Sequence, residues 1–223
     1  MRALIIANGG GRARRQLRLL ARSAGLIIAA DGGAEAAARA GVRPHLLVGD
    51  MDSITPATRA RLRRARVELH TVPVEKDLTD TELALGIARE RGATNVTLAA
   101  AFGGRVDHAV ANLFLLLLAR GMGIRLTLVD GRTEARLAEG RTVLHGAVSD
   151  LVSLIPLSDA VENITTFGLQ YPLTDERLVR GATRGMSNVI VEVPAGLERV
   201  ESGDLLVVHT RRRLVRALRP RGA

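Results

Sequence analysis

The stretch HLLVGDMDSITPATRARLRRA, His45 to Ala65, holds three elements in succession. HLLVG has the length and composition of a buried strand. GDMDS, Gly49 to Ser53, is an acidic loop, and an arginine-rich helical pattern starts at Pro56 with Ser53 or Thr55 placed as its N-cap. Strand, loop and helix in this order predict a parallel sheet wherever the pattern recurs.

It recurs through the first ~130 residues. ALIIA, from Ala3, precedes a helix over Arg14 to Ser23. LIIAA, from Leu26, leads into AEAAARAG, and VELHTV, from Val67, precedes a helix that begins near Asp80. NVTLAA, from Asn95, precedes a long apolar helix after Asp107, and IRLTLV, from Ile124, closes the series. The result is a doubly wound α/β domain. After Gly131 the pattern changes to TVLHG, LVSLIP, VENITTFG, NVIVEVP and DLLVVHT, short β-branched runs bounded by Gly, Pro, Ser or Asp. These predict an antiparallel all-β sandwich or small barrel, so a boundary in the Gly131 to Gly140 stretch separates 1–131 from 132–223.

With one Tyr, three Phe and no Trp, the core must be built from Leu, Val, Ile and Ala. The chain has no cysteine, which excludes disulfides and thiolate metal sites and suits a cytoplasmic protein. The N-terminal apolar run is too short for a signal peptide. AVANLFLLLLA, from Ala109, is about half of a membrane span and is expected to be a buried helix. A formal charge of +9 invites a nucleic-acid reading. The arginines of 12–22 and 59–66, however, fall on amphipathic helical stretches, where they are expected to form solvated faces, and aromatic platforms for bases are missing. Neither nucleic acid nor membrane is expected as a partner.

Four successive predicted strands end in a polar motif: DGG (Asp31–Gly33), GDMDS, EKDLTD (Glu75–Asp80) and FGGRVDH (Phe102–His108). Ligands of open α/β sheets bind at the carboxyl ends of the strands, so the four motifs share one edge. Asp50 and Asp52 can both face one hard cation such as Mg²⁺, or they can simply make a polar loop ahead of the helix. Thr79 and Glu82 form a capping box, which leaves Lys76, Asp77 and Asp80, the last of which also suits the first helical turn, where the helix dipole favours an acid. Lys76 is the only lysine among 32 basic residues. A cluster of Asp50, Asp52 and Asp80 around Mg²⁺ would leave that compact ammonium free to meet a phosphate. Arg105 offers a fork for phosphate, and Asp107 either caps the following helix or binds ligand. Gly9 to Gly11 could cradle phosphate, but no Walker motif, dinucleotide fingerprint or zinc-ligand histidine spacing is present.

In this order ADGGA, GDMDS, KDLTDTELAL and GGRVDH resemble the motifs of the bacterial thiamine pyrophosphokinase family, as do FGLQYPL, RGMSN and the closing SGDLLVVHT. The resemblance implies an ATP-dependent diphosphotransferase that converts thiamine to thiamine diphosphate with release of AMP. It also implies a homodimer with an α/β ATP- and Mg²⁺-binding domain, a β-sandwich domain, and thiamine bound between subunits. Carried over, Asp50, Asp52 and Asp80 would hold Mg²⁺, while Lys76, Asp77 and Arg105 would surround the triphosphate. Asp31, Asp107, Tyr171, Ser187 and Asn188 would bind substrate. His45 departs from the aspartate usual after Pro44. The alternative is an enzyme of the same architecture acting on another alcohol, such as a hydroxymethyl pterin.

Overall fold

The computed structural model describes residues 1–9, 14–71, 77–103 and 105–212. Lys76, Gly10 and Gly11 of the glycine run, and the basic tail from Arg213 lie outside the described residues. The chain divides into two units, Met1–Gly131 and Arg132–Ala223.

In the first unit, strands alternate with helices: β1 (Arg2–Ile6), α1 (Arg14–Ser23), β2 (Leu26–Ala30), α2 (Gly33–Ala40), β3 (Leu46–Gly49), α3 (Pro56–Arg64), β4 (Glu68–Thr71), α4 (Asp80–Glu90), β5 (Asn95–Ala99), α5 (Val106–Gly121) and β6 (Arg125–Asp130). The sheet order is β6-β5-β1-β2-β3-β4, and every described pairing in it is parallel. The doubly wound expectation is borne out. β2 is buried along its whole length, as the uninterrupted run LIIAA requires of a strand covered on both faces. β4 lies at the edge with all four residues exposed. One apolar layer joins Leu4, Ile6, Ile27 and Ala99 to Leu17 of α1 and Ala36, Ala37 and Ala40 of α2. Another joins Ala29, Leu47 and Met51 to Leu62 of α3. Alanines on α2 let that helix sit close to the sheet, which a core poor in aromatics needs.

α5 departs from the expectation of a buried helix. Asn112, Leu115, Leu116 and Ala119 face inward, whereas Val106, Val110, Phe114 and Leu118 are exposed. The run is apolar all round, but only one stripe of the helix is covered within the chain. No described helix is long and apolar enough to cross a membrane.

His45, just before β3, serves as an acceptor: its Nδ1 takes the Ile27 amide at 2.9 Å. That bond adds a rung between the start of β3 and β2.

The second unit contains β7 (Thr133–Leu137), β8 (Thr142–Leu144), β9 (Leu151–Pro156), β10 (Ala160–Phe167), β11 (Glu176–Val179), β12 (Asn188–Val189), β13 (Ala195–Arg199) and β14 (Leu205–Thr210). They form two antiparallel layers, β12-β9-β14-β7 and β11-β10-β13-β8. Val152, Leu154, Leu205 and Val207 from the first layer meet Val161, Ile164, Leu178 and Leu197 from the second in one core, the predicted sandwich.

One buried polar network ties the sandwich together. Asp150 accepts hydrogen bonds from the Ala147 amide at 3.0 Å, the Arg212 amide at 2.9 Å and His209 Nε2 at 3.0 Å. Its side chain is 3% exposed. Burial alone would raise the Asp150 carboxyl, but these hydrogen bonds outweigh it and hold the group below its ordinary value. The stability it contributes is therefore complete above the ordinary carboxylate range near about 4 and is lost as pH falls through the lower folded value. Asp150→Ala should cost roughly 3 kcal/mol at neutral pH, because it strands buried partners. It should also reduce the acid sensitivity of unfolding. Urea titrations of parent and variant at several pH values check both, and an unchanged acid limb would contradict the assignment.

Candidate active site

The strand order places the topological switch between β1 and β5, where the chain returns to the middle of the sheet. A cleft of about 550 Å³ opens there. Asn8 and Gly9 beyond β1, Asp31 beyond β2, Asp50 and Ser53 beyond β3, and Gly103 beyond β5 line it. So do Thr79, Asp80 and Thr81 at the start of α4, Arg105 and His108 at the start of α5, and Asn112 two turns into α5. Two helix N-termini therefore face the cleft and favour anionic ligands.

Local backbone geometry brings the carboxylates together. Asp31 has φ 45° and donates its amide to Val48 O at 2.7 Å, which continues the β2–β3 pairing past the strand end. A β-carbon on Gly33 would lie 1.9 Å from Ile6 O, so the second glycine of DGG is what lets the chain turn across β1 into α2. Met51 has φ 70° and buries its side chain against Leu47, Ile54 and Leu62. With Met51 anchored inward, the flanking aspartates sit on the other side of the loop. The Asp52 amide donates to Asp50 Oδ1 at 3.0 Å, and Ser53 Oγ donates to Asp52 Oδ1 at 3.0 Å.

Ligand oxygens of Asp31, Asp50 and Asp52 all lie within 4.8 Å of one another. Asp31 Oδ1 is buried and accepts no hydrogen bond from the described residues. Three like charges this close, one with an unsatisfied oxygen, fit a hard divalent cation that takes oxygen ligands. The group contains Asp31, which was expected among the substrate-binding residues. Asp80 lines the same cleft from α4 but is not a member of the group.

Thr79 caps α4 by accepting the Glu82 amide at 3.2 Å, as its spacing predicted. Asp77 is exposed and is not among the residues lining the cleft. Arg105 and Asp107 form a two-pronged pair, Nε to Oδ1 at 3.1 Å and Nη2 to Oδ2 at 2.5 Å, with both side chains exposed. The Arg105 hydrogen bond pulls the Asp107 carboxyl below its ordinary value and raises the guanidinium in turn. A phosphate arriving at Arg105 thus competes with Asp107 for the same fork.

In the second unit Tyr171 is 60% exposed. Asn188 is buried: its Oδ1 accepts the Tyr171 amide at 3.0 Å and the Val189 amide at 2.9 Å, and its Nδ2 donates to Tyr171 O at 2.6 Å. Ser187 is exposed at φ 55°, with its amide on Ser153 Oγ at 3.1 Å.

Comparisons with known proteins decide the family. The model of the thiamin pyrophosphokinase catalytic domain matches residues 17–128, half of the chain, and that of the thiamin pyrophosphokinase vitamin B1 binding domain matches 143–197. The chain belongs to the thiamine pyrophosphokinase family. It is 32% identical over 168 residues to thiamine pyrophosphokinase of Bacillus subtilis, which covers 74% of this chain and 78% of that protein. A crystal structure of the Bacillus subtilis enzyme superposes with a TM-score of 0.85 and 26% identity, covering 95% of this chain and 99% of that one. The thiamin pyrophosphokinase structure from Geobacillus thermodenitrificans gives 0.78 and 27%, covering 94% and 97%.

Two residues of this family member that sequence reading missed hold the loop after β5. Asn112 donates to Ala101 O at 2.8 Å, and Asp130 Oδ2 accepts the Phe102 amide at 3.1 Å. A helix-interior Asn within an apolar run was the available signal for the first; the aspartate closing IRLTLVD was the signal for the second. Burial pushes the Asp130 carboxyl up, against the Phe102 hydrogen bond. Above its ordinary range Asp130 therefore carries a cost in the folded state. Asp130→Asn keeps an acceptor without the charge and should match or exceed the parent in thermal stability at pH 7 to 8. Asp130→Leu, which orphans the Phe102 amide, should lose roughly 1–2 kcal/mol. Melting curves that rank leucine above asparagine would contradict this.

Proposed function

We infer that the protein transfers the pyrophosphoryl group of ATP to the hydroxyl of thiamine, giving thiamine diphosphate and AMP. The observation that carries this reading is the meeting of Asp31, Asp50 and Asp52, the first two lining a cleft faced by two helix N-termini and Asp52 exposed beside them, in a chain of this family. Transfer of this kind is mostly positioning and charge neutralisation, and the cleft supplies the groups for both.

Asp31, Asp50 and Asp52 would hold Mg²⁺, with Asp80 facing them from α4. When bound, the ion neutralises phosphate oxygens and orients the chain of phosphates. Arg105 would exchange Asp107 for a phosphate oxygen, and Lys76 and Asp77, on the segment leading into α4, would complete the surroundings of the triphosphate. The hydroxyl oxygen of thiamine bonds to the β-phosphorus, and the bond from that phosphorus to the α-phosphate oxygen breaks. AMP leaves with that oxygen. The hydroxyl proton passes to a nearby carboxylate, Asp80 or Asp107. The acidic cluster also attracts cationic thiamine.

The thiamine side is assigned to the β-sandwich, 132–223, on the family resemblance and on the match to the B1-binding model. Tyr171 offers a ring and Ser187 a hydroxyl there. Asn188, whose amide is occupied by Tyr171 and Val189, acts by fixing Tyr171. The homodimer, with thiamine between subunits, and the cytoplasmic location come from the same resemblance and from composition.

The test is product analysis with Mg-ATP and thiamine. Thiamine diphosphate and AMP should appear in equal amounts without ADP, and Asp52→Asn should lower turnover at least about 100-fold in a folded protein. AMP formation with a hydroxymethyl pterin in place of thiamine would keep the chemistry and discard the substrate. A separate comparison concerns the one lysine: Lys76→Arg should lower kcat, and parental turnover would remove Lys76 from the assignment.

A further inference from the structure

We propose that Arg59 is a positioning residue for the aspartate loop and, through it, for the divalent cation. The inference rests on the reading above that Asp31, Asp50 and Asp52 hold that cation. Arg59 lies in the first turn of α3, on a stretch whose arginines were all expected to form a solvated face. Its backbone amide makes an ordinary helical bond to Thr55 O at 2.9 Å. The residue is exposed, as that reading has it, but its guanidinium is not committed to solvent alone. Nη2 turns back across the loop and donates to Met51 O at 2.7 Å, in a partly buried bond.

Met51 is the residue on which the loop geometry depends. It stands between Asp50 and Asp52 and has φ 70°, a conformation uncommon for a residue with a side chain. Its side chain is fixed by Leu47, Ile54 and Leu62. If its peptide rotated, Asp52 would turn away from Asp50 and the hydrogen bond from the Asp52 amide to Asp50 Oδ1 would break. A donor on the Met51 carbonyl opposes that rotation.

The far end of the same loop is held as well. Glu35 of α2 accepts from the Thr55 amide at 2.9 Å and from Thr55 Oγ1 at 2.8 Å, while Thr55 Oγ1 caps α3 by accepting the Thr58 amide at 3.3 Å. The segment from Met51 to Thr55 is thus clamped at both ends by charged side chains. Arginine suits the longer reach, since its planar fork loses less freedom than an ammonium would for each bond made.

Positioning and plain electrostatics predict opposite signs. Removing a positive charge near three carboxylates strengthens cation binding if charge alone matters. Removing the group that fixes Met51 weakens it, and outer partners of this kind typically contribute 10- to 100-fold in metal affinity.

The experiment is a titration of the full chain with Mn²⁺, without nucleotide, with free Mn²⁺ read by electron paramagnetic resonance. Arg59→Ala should bind Mn²⁺ about 10-fold or more weakly than the parent. Arg59→Lys should recover part of the loss, and Arg63→Ala, an exposed arginine on the same helix, should match the parent or bind slightly tighter. Asp50→Asn should lose binding. If Arg59→Ala does not fold, as judged by circular dichroism, Arg59→Leu keeps the apolar stem without the donor and carries the test. Parental or tighter binding by the Arg59 variant, with binding lost in Asp50→Asn, would overturn the role of Arg59 alone. A parent that takes up no Mn²⁺ would overturn the cation reading and this inference with it.

Discussion

Asp31, Asp50 and Asp52 are held with carboxylate oxygens within 4.8 Å of one another, and like charges do not gather that closely without a rigid frame. The frame is the parallel sheet. β2 and β3 end side by side, the Asp31 amide continues their pairing, and two residues with positive φ turn the chain back over the strand ends. The apolar layers on both sides of the sheet keep those ends from relaxing. Leu47, Ile54, Leu62 and Val67 surround Met51, so the acidic loop is fastened from below by packing. Burial of leucine, isoleucine and alanine is in this way converted into a concentration of negative charge at one edge.

The fold was legible because its signals are periodic and local. Continuous apolar runs such as LIIAA announce strands covered on both faces, and the shift at Gly131 to alternating short runs announces a half-covered antiparallel sheet. Thr79 with Glu82 marked the start of α4 from spacing alone. Where local signals compete with tertiary context they mislead. Phe114 and Leu118 lie in a run that reads as buried, yet they are exposed because the sheet covers only one stripe of α5.

The site was legible as an edge but not as a constellation. Order along the chain identified four motifs that meet beyond the strand ends. It could not reveal which carboxylates approach most closely, since that depends on the left-handed turns at Asp31 and Met51 and not on spacing. Nor could it reveal that Arg105 turns toward Asp107, or that Asn188 has both ends of its amide committed to the backbone of its neighbours. Arg59, Asn112 and Asp130 were passed over for one reason. Each holds a backbone group of a loop outside its own element, and a residue's type can mark it as out of place without naming the backbone group it bonds.

The central claim is that three strand-end aspartates form one cation site. Anomalous diffraction from crystals grown with Mn²⁺ addresses it directly. A single strong peak about 2 Å from oxygens of Asp31, Asp50 and Asp52 is the predicted result. A peak elsewhere in the cleft that excludes Asp31, or no peak at this edge of the sheet, would contradict the account.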